Sequence, residues 1–225
     1  MNHLSEYKTA VRRLWPGLTI LIFAACGMSD SESASREAVG EYEVHYSITP
    51  APASSTVHVE LSLTQSRALL RELSFAADKR IREIKADVQV IEHDGRITWY
   101  PPAAGGTLAW LARVRNERGN GRFDALLDDD WGIFRMEDII PRARTRTLKG
   151  ATSRTSFEFS LPTGWAAVTE YPSIDTPIAV ERSERRFDQP TGWIAVGDLG
   201  VRRETIAGIR VAIAAPQGEN MRRMD

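Results

Sequence analysis

The chain has 225 residues, with 29 basic and 30 acidic side chains, so its formal net charge is −1. A nucleic-acid-binding protein would show a strong basic excess, and this class is therefore excluded. The single cysteine, Cys26, also excludes a disulfide within the chain.

The N-terminus has the three parts of a secretory signal peptide. A basic segment comes first and carries Lys8, Arg12 and Arg13. The apolar stretch 14–25 follows and is too short for a membrane-spanning helix, which needs roughly 20 apolar residues. Ala24 and Ala25 directly precede Cys26, and this order is typical of a lipoprotein signal. We therefore predict a signal peptide over 1–25, cleavage between Ala25 and Cys26, and lipidation of Cys26.

The predicted anchor also predicts a compartment. Gly27 follows Cys26 where retention in the inner membrane would favour aspartate. We therefore expect an outer-membrane lipoprotein of a bacterial cell envelope, facing the periplasm. Three acyl chains, palmitate among them, would hold it firmly, since a single chain gives only marginal membrane binding. A plain cleaved signal, with Cys26 as a buried or accidental thiol, is the alternative.

The rest of the chain divides into three parts. Residues 26–40 are small, polar and aperiodic, which is typical of a flexible tether. Period-two alternation of apolar and polar residues then runs through 41–215. We expect this range to be one β-sandwich-like domain or two small β units, with a C-terminal tail over 216–225.

The alternation predicts ten or more short strands. The clearest apolar sets are Tyr42, Val44, Tyr46 and Ile48; Val57, Val59, Leu61 and Leu63; Leu108, Trp110, Ala112 and Val114; and Phe157, Phe159 and Leu161. Asp94-Gly95 and Ala207-Gly208 each lie between two apolar runs and predict β-hairpins, and 119–121 predicts a turn. Only 79–86 and 136–140 favour a helix. The prediction is an all-β fold, a β-sandwich or two packed antiparallel sheets, behind the signal helix and tether.

The sequence contains no motif for catalysis or cofactor binding. Its histidines are His3, His45, His58 and His93, and none of them belongs to an H-E-x-x-H zinc motif. The serine elbow G-x-S-x-G and a glycine-rich phosphate loop are also absent. We predict no catalytic residue, no metal ligand and no cofactor for this chain.

Two features remain as weaker candidates. Asp128, Asp129 and Asp130 could offer oxygen ligands to Ca²⁺, but their spacing is not that of a calcium loop, and a charged turn is the preferred interpretation. Trp165 and Trp193 each end a Pro-Thr-Gly-Trp segment. They are candidate docking aromatics, although packing of each indole under its turn is the favoured alternative.

The segment Phe157–Trp165 resembles the "strand, Leu-Pro, x-Gly-Trp" segment in the N-terminal β-domain of glycyl-aminopeptidase-like zinc metallopeptidases (gluzincins). Phe123–Phe134, with its acidic centre, resembles the preceding piece of that domain, and Phe187–Trp193 resembles the Asp-x-Pro segment that follows it. The likeness covers Glu41–Ala215. It implies a β-domain that is not catalytic and that precedes a helical zinc domain, which is missing here, so no catalytic residue is carried over.

Three functional hypotheses follow. The first is a lipid-anchored periplasmic module without catalysis, which packs against a peptidase domain or presents an edge strand to a peptide. The second is the β-domain of a longer, active metallopeptidase. The third is a structural or envelope-assembly lipoprotein. The membrane is the expected partner through the lipid, and nucleic acid is not expected.

Overall fold

The computed structural model describes residues 40–118, 122–172, 176–180 and 186–216. Seventeen β-strands and one short α-helix lie in these residues. The strands are β1 (Glu41–Ala51), β2 (Thr56–Thr64), β3 (Leu70–Ala76), β4 (Ile81–Ala86), β5 (Val90–His93), β6 (Arg96–Trp99), β7 (Gly105–Arg113), β8 (Arg115–Arg118), β9 (Arg122–Leu127), β10 (Trp131–Arg135), β11 (Arg144–Thr147), β12 (Thr152–Phe159), β13 (Ala166–Thr169), β14 (Ile178–Val180), β15 (Trp193–Gly197), β16 (Leu199–Ile206) and β17 (Ile209–Pro216). The helix, α1, is Met136–Ile139, and a 3-10 turn occupies Pro52–Ser54.

The strands form three sheets and one separate hairpin. The first sheet has the order β14-β12-β1-β2-β7-β4, the second β13-β15-β10-β9-β8, and the third β11-β3-β6-β5. Strands β16 and β17 pair only with each other among the described strands. The all-β prediction is confirmed, and almost all pairs are antiparallel. The exception is β1 with β12, which run parallel from Glu41↔Thr152 to Ile48↔Phe159.

One hydrophobic core joins the three sheets. In β1 every second side chain from Tyr42 to Ile48 is buried, and in β2 the same holds from Val57 to Leu63. The alternation arises because successive side chains of a strand point to opposite faces of the sheet. Side chains from the inner faces of the second and third sheets, such as Phe134 and Trp99, complete the cluster.

Both predicted hairpins are confirmed. Strands β5 and β6 meet at Asp94 (φ 49°) and Gly95 (φ 67°), and β16 and β17 meet at Ala207 (φ 51°) and Gly208 (φ 81°). Positive φ at both central residues matches the right-handed twist of the flanking strands. The predicted turn at 119–121 lies outside the described residues.

Of the two helix predictions, one is confirmed and one is wrong. Residues 136–139 form the single turn α1. The stretch 79–86 instead contributes β4, which pairs with β7 and has an irregular register between Arg82 and Lys85. Glu83, at φ 49°, interrupts the alternation there. Ile81 and Ile84, three residues apart, therefore both pack on the core and imitate a helical spacing.

Candidate docking surface

The outward face of the first sheet is polar. Strands β12, β1 and β2 present charged, histidine and serine side chains there: Glu43, His45, Ser47, His58, Glu60, Ser62, Arg154, Ser156 and Glu158. Strand β7 adds Thr107 and two half-buried apolar residues, Ala109 and Leu111. This is the usual arrangement for an antiparallel sheet with one face on the core and the other in water.

The outward face of the second sheet is different, because it is largely apolar. The registers align one residue from each strand into a row across all five strands, which reads Val168, Ala195, Ile133, Leu126 and Arg115. Four of these five side chains are apolar, and Ile133 is 40% exposed. Water therefore meets an apolar face of a kind that is normally covered by another layer of protein.

Trp193 extends this apolar face at the start of β15. Its indole is 47% exposed, and the Arg135 guanidinium lies over it at 4.9 Å from the ring centroid. The turn before it is held from both sides: Gly192 N donates to the Glu137 carboxylate at 3.1 Å, and Met136 N donates to the Gly192 carbonyl oxygen at 2.8 Å. The exposed position of Trp193 is thus fixed by its backbone.

Beside this face runs an open groove of about 930 Å³. Ile133, Trp193 and Ala195 line one side, and the β16–β17 hairpin lines the other with Arg203 and Arg210. The groove continues past the edge strand β13. An edge strand offers backbone donors and acceptors that are not used within its own sheet.

The two predicted docking tryptophans have different environments. Trp165 is half-buried and packs against the hydrophobic core, and its backbone N–H donates to the Pro162 carbonyl oxygen at 3.0 Å, which closes the turn through Gly164. Only Trp193 is available on the surface as an exposed ring. The docking role of the two tryptophans stays a prediction.

The three aspartates lie in the turn between β9 and β10. All three are exposed, Asp128 N donates to the Trp131 carbonyl oxygen at 2.9 Å, and Asp129 N donates to the Asp128 carboxylate at 3.2 Å. Within the described part of the chain, no group of three or more His, Cys, Asp or Glu residues is arranged to hold a metal ion. These contacts are those of a charged turn and lend the calcium interpretation no support.

A serine, a histidine and a glutamate meet on the polar face of the first sheet. His45 lies between Ser156 Oγ, 2.9 Å from its Nδ1, and Glu158 Oε1, 3.4 Å from its Nε2. Hydrolases use such a group together with free backbone N–H donors that stabilise an oxyanion. Strands β1 and β12 each have a hydrogen-bonded neighbour on both sides, so their N–H groups serve strand pairing. The arrangement supports sheet pairing rather than hydrolysis.

Two buried tyrosines anchor the parallel pair of strands. Tyr42 Oη donates to the Arg186 carbonyl oxygen at 2.7 Å, and Tyr46 is 1% exposed. Burial raises the pKa of Tyr42, and the nearby Asp188 carboxylate adds to this effect. Burial also raises the pKa of Tyr46, with a further contribution from Tyr42. Both hydroxyls therefore stay neutral and serve packing and hydrogen bonding.

The predicted lipidation and cleavage residues, Cys26 and Ala25, lie outside the described residues, as does the signal peptide. Among the residues that are described, no helix has the length and hydropathy needed to cross a membrane. The anchor therefore stays a prediction from sequence.

Most of the apolar outward face, including Ile133, Leu126 and Val168, was not predicted from the sequence. The sequence does hold a signal for this face: the stretches Ala125–Leu127, Trp131–Phe134 and Trp193–Val196 contain no polar side chain. Such runs are typical of strands that are covered on both sides.

No family model matches the sequence, and no curated protein matches it. Among solved structures, the chain is similar to an M1 zinc metallopeptidase from Deinococcus radiodurans, with 10% identity, a TM-score of 0.38, and coverage of 77% of this chain and 46% of that one. A point mutant of the same enzyme gives a TM-score of 0.36 at 10% identity, with the same 77% and 46% coverage. The chain thus spans about half the length of these structures.

Proposed function

We propose that the chain is a membrane-anchored, non-catalytic β module that docks a folded protein partner through the apolar outward face of its second sheet. The observation that carries this proposal is the contrast between the two outward faces. The first sheet presents charged and hydroxyl side chains to water, whereas the second presents a row that runs from Val168 through Ile133 to Leu126.

The shape of the surface favours a protein over a small ligand. Five strands spaced about 4.8 Å apart give a face roughly 20 Å wide. Small-molecule sites are instead enclosed pockets that bury most of the ligand. Covering the exposed parts of Ile133 and Trp193 would contribute about 3 kcal/mol before the entropy of association is subtracted. Trp193, with Arg135 over its ring, has the character of an interface hot spot.

The anchor and the compartment complete the proposal. Cys26 carries the lipid, 26–40 spaces the domain from the bilayer, and the partner is an envelope protein on the periplasmic side. The resemblance in sequence to a peptidase β-domain supports a peptidase domain as the partner. In this chain the Pro162–Trp165 segment of that resemblance is a closed turn that begins three residues after the end of β12 at Phe159.

Site-specific photocrosslinking in cells tests the docking face. A photoreactive residue at Ile133 should give a discrete adduct, and the same residue at His58, which is exposed on the polar face, should give none. Trp193→Ser, a change at an exposed position, should abolish the adduct without changing the amount of folded chain. The docking proposal is wrong if positions 133 and 58 give the same pattern.

Elemental analysis and an aminopeptidase assay together test whether the chain is non-catalytic. The purified full chain should hold no stoichiometric zinc after dialysis and should release no amino acid from aminopeptidase substrates. Zinc retained at one ion per chain would contradict the proposal.

The second candidate function is the β-domain of a longer metallopeptidase. It is favoured by the same sequence resemblance over Phe157–Trp165. The genomic sequence downstream of the codon for Asp225 discriminates between the two. A continuing or frameshifted reading frame that encodes H-E-x-x-H would identify the partner as a domain of the parent protein.

A further inference from the structure

The β16–β17 hairpin ends in an apolar tip. Ile206 and Ile209 are paired across the turn, at 56% and 68% exposure. No other large apolar side chain in the described ranges is as exposed. Every described residue from Arg202 to Arg210 is exposed, so this end of the hairpin projects from the body of the domain.

The other confirmed hairpin shows that this tip is not required by the turn. The β5–β6 turn also has positive φ at both central residues but pairs His93 with Arg96 at the place of the two isoleucines. Around Gly208 a Cβ atom would meet no other atom within 4 Å, so the isoleucine tip is not packed against the domain. The same kind of turn therefore forms with polar or with apolar residues beside it. The turn conformation does not explain why two isoleucines stand at this exposed position.

Arginines lie on both faces of the hairpin behind the tip. Alternation puts Arg202 on the face of the two isoleucines, and it puts Arg203 and Arg210 on the opposite face, where they also line the groove. Arg202 pairs with Glu204 at 2.7 Å, whereas Arg203 and Arg210 have no ion-pair partner among the described residues. The hairpin contains three arginines and one glutamate, so its net charge is 3 − 1 = +2. An apolar tip with basic side chains behind it is complementary to a bilayer, whose headgroups can be anionic and whose interior is apolar.

We infer that the β16–β17 hairpin is a membrane-binding tip, in which Ile206 and Ile209 enter the interface of an anionic bilayer while Arg203 and Arg210 bind lipid phosphates. The inference rests on the anchored chain of the proposed function, because the lipid brings the hairpin within reach of the bilayer. Two isoleucines alone would bind weakly, and a tethered site needs only weak affinity to be occupied. The tip would orient the domain so that the docking face is presented at a fixed angle to the membrane.

A fluorescent label at the turn tests this inference. The full chain carrying Cys26→Ser has no other thiol, so Ala207→Cys can be labelled with the environment-sensitive dye NBD. Ala207 already has a positive φ, and the substitution keeps a side chain of similar backbone preference. Because Cys26→Ser removes the tether, phosphatidylglycerol vesicles are added in large excess, where even weak binding is populated, and they should raise the emission and shift it to the blue. The label at Asp94→Cys, on the matched polar hairpin, should not respond.

Two double variants separate the contributions of the isoleucines and of the arginines to membrane binding. Ile206→Asn with Ile209→Asn should remove the blue shift. Arg203→Gln with Arg210→Gln keeps the apolar tip and should weaken binding roughly fivefold for each arginine replaced. Pure phosphatidylcholine vesicles should give a comparable loss.

The arginine pair also lines the groove beside the docking face, whereas Ile206 and Ile209 do not, so the isoleucine variant separates the two proposals. The readout is local to residue 207, and a failure of the photocrosslinking test at Ile133 leaves it unaffected. The inference is wrong if the protein sediments with the vesicles but the NBD emission at residue 207 does not change. The isoleucines would then belong to a protein interface. Equal responses at positions 207 and 94 would overturn the inference as well.

Discussion

The indole N–H of Trp110 donates a 2.7 Å hydrogen bond to the carbonyl oxygen of Ile139 in the interior of the domain. Trp110 belongs to β7 of the first sheet, and Ile139 ends α1, which follows β10 of the second sheet. Arg80 adds a second link, because its guanidinium bonds the Asp138 carboxylate at 2.9 Å. The short helix therefore joins the sheet with the polar outward face to the sheet with the apolar one.

The substitution Trp110→Phe should destabilise the fold more than Trp99→Phe does. Both indoles are buried, but among the described residues the Trp99 N–H has no hydrogen-bond partner. Trp99→Phe thus loses only packing. Trp110→Phe also leaves the Ile139 carbonyl oxygen unsatisfied, which costs a further ~1–3 kcal/mol. Urea unfolding of the two variants measures the difference, and equal free energies of unfolding would contradict the role given to this bond.

The stability should fall in alkali because of the two buried tyrosines. Burial raises the pKa of Tyr42 and Tyr46 above the ordinary value of 10.0, so the folded state retains protons that the unfolded state loses. Stability is therefore fully present below pH 10.0 and decreases as the pH rises above it. Unfolding midpoints measured across this range should show the decrease.

The double variant Tyr42→Phe with Tyr46→Phe is the control for this decrease of stability with rising pH. It should be less stable near neutral pH, because the hydrogen bond to Arg186 is lost, but its alkaline decrease should be smaller. Tyr100→Phe, at a position 44% exposed, removes a tyrosine without removing a buried one. An alkaline slope that survives in the double variant would assign the effect to other groups.

The sequence predicts the first sheet well because that sheet is covered on one side only. In β1 the polar residues Glu43, His45 and Ser47 alternate with the buried ones, so strand and inward face follow directly from the pattern. The pairing of β1 with β12 could not be predicted. Its partners, such as His45 and Ser156, are 111 residues apart, and no local signal specifies a parallel neighbour at that distance.

The second sheet shows where the pattern fails. Ile133 and Phe134 are adjacent and both apolar, although one faces water and the other the core. Alternation cannot assign faces when both are apolar, and for that reason the apolar outward face of the second sheet was not predicted. The two turn tryptophans were identified from sequence, but exposure depends on the surrounding fold, and only Trp193 is largely exposed.

Gly197 should tolerate substitution far less well than Gly208. Both have positive φ, at 142° and 81°. A Cβ at Gly197 would lie 2.5 Å from the Asp130 carbonyl oxygen, whereas one at Gly208 would meet nothing within 4 Å. Gly197→Ala should therefore cost ~3 kcal/mol, from backbone strain and a clash between β15 and the turn before β10. Gly208→Ala should cost only about 1 kcal/mol.

Thermal or urea unfolding of the two alanine variants measures this difference. The Gly197 variant should also disturb the docking face, because Gly197 pairs with both Trp131 and Ala166. Reduced photocrosslinking at Ile133 in the Gly197 variant, with unchanged crosslinking in the Gly208 variant, is the expected result. The same loss of stability in both variants would show that the close approach to Asp130 is relaxed in solution.

Acylation of Cys26 is the prediction on which the membrane location depends. Cells fed with labelled palmitate should incorporate it into the wild-type chain, and Cys26→Ser should lose the label because the chain has no other thiol. Mass spectrometry of the mature N-terminus should place the lipid on Cys26 and cleavage after Ala25. A plain signal peptide would instead give a cleaved chain without label, and the domain would then be free in the periplasm. In that case the hairpin tip would have to bind the bilayer without a tether, at an affinity that two isoleucines and two arginines supply only weakly.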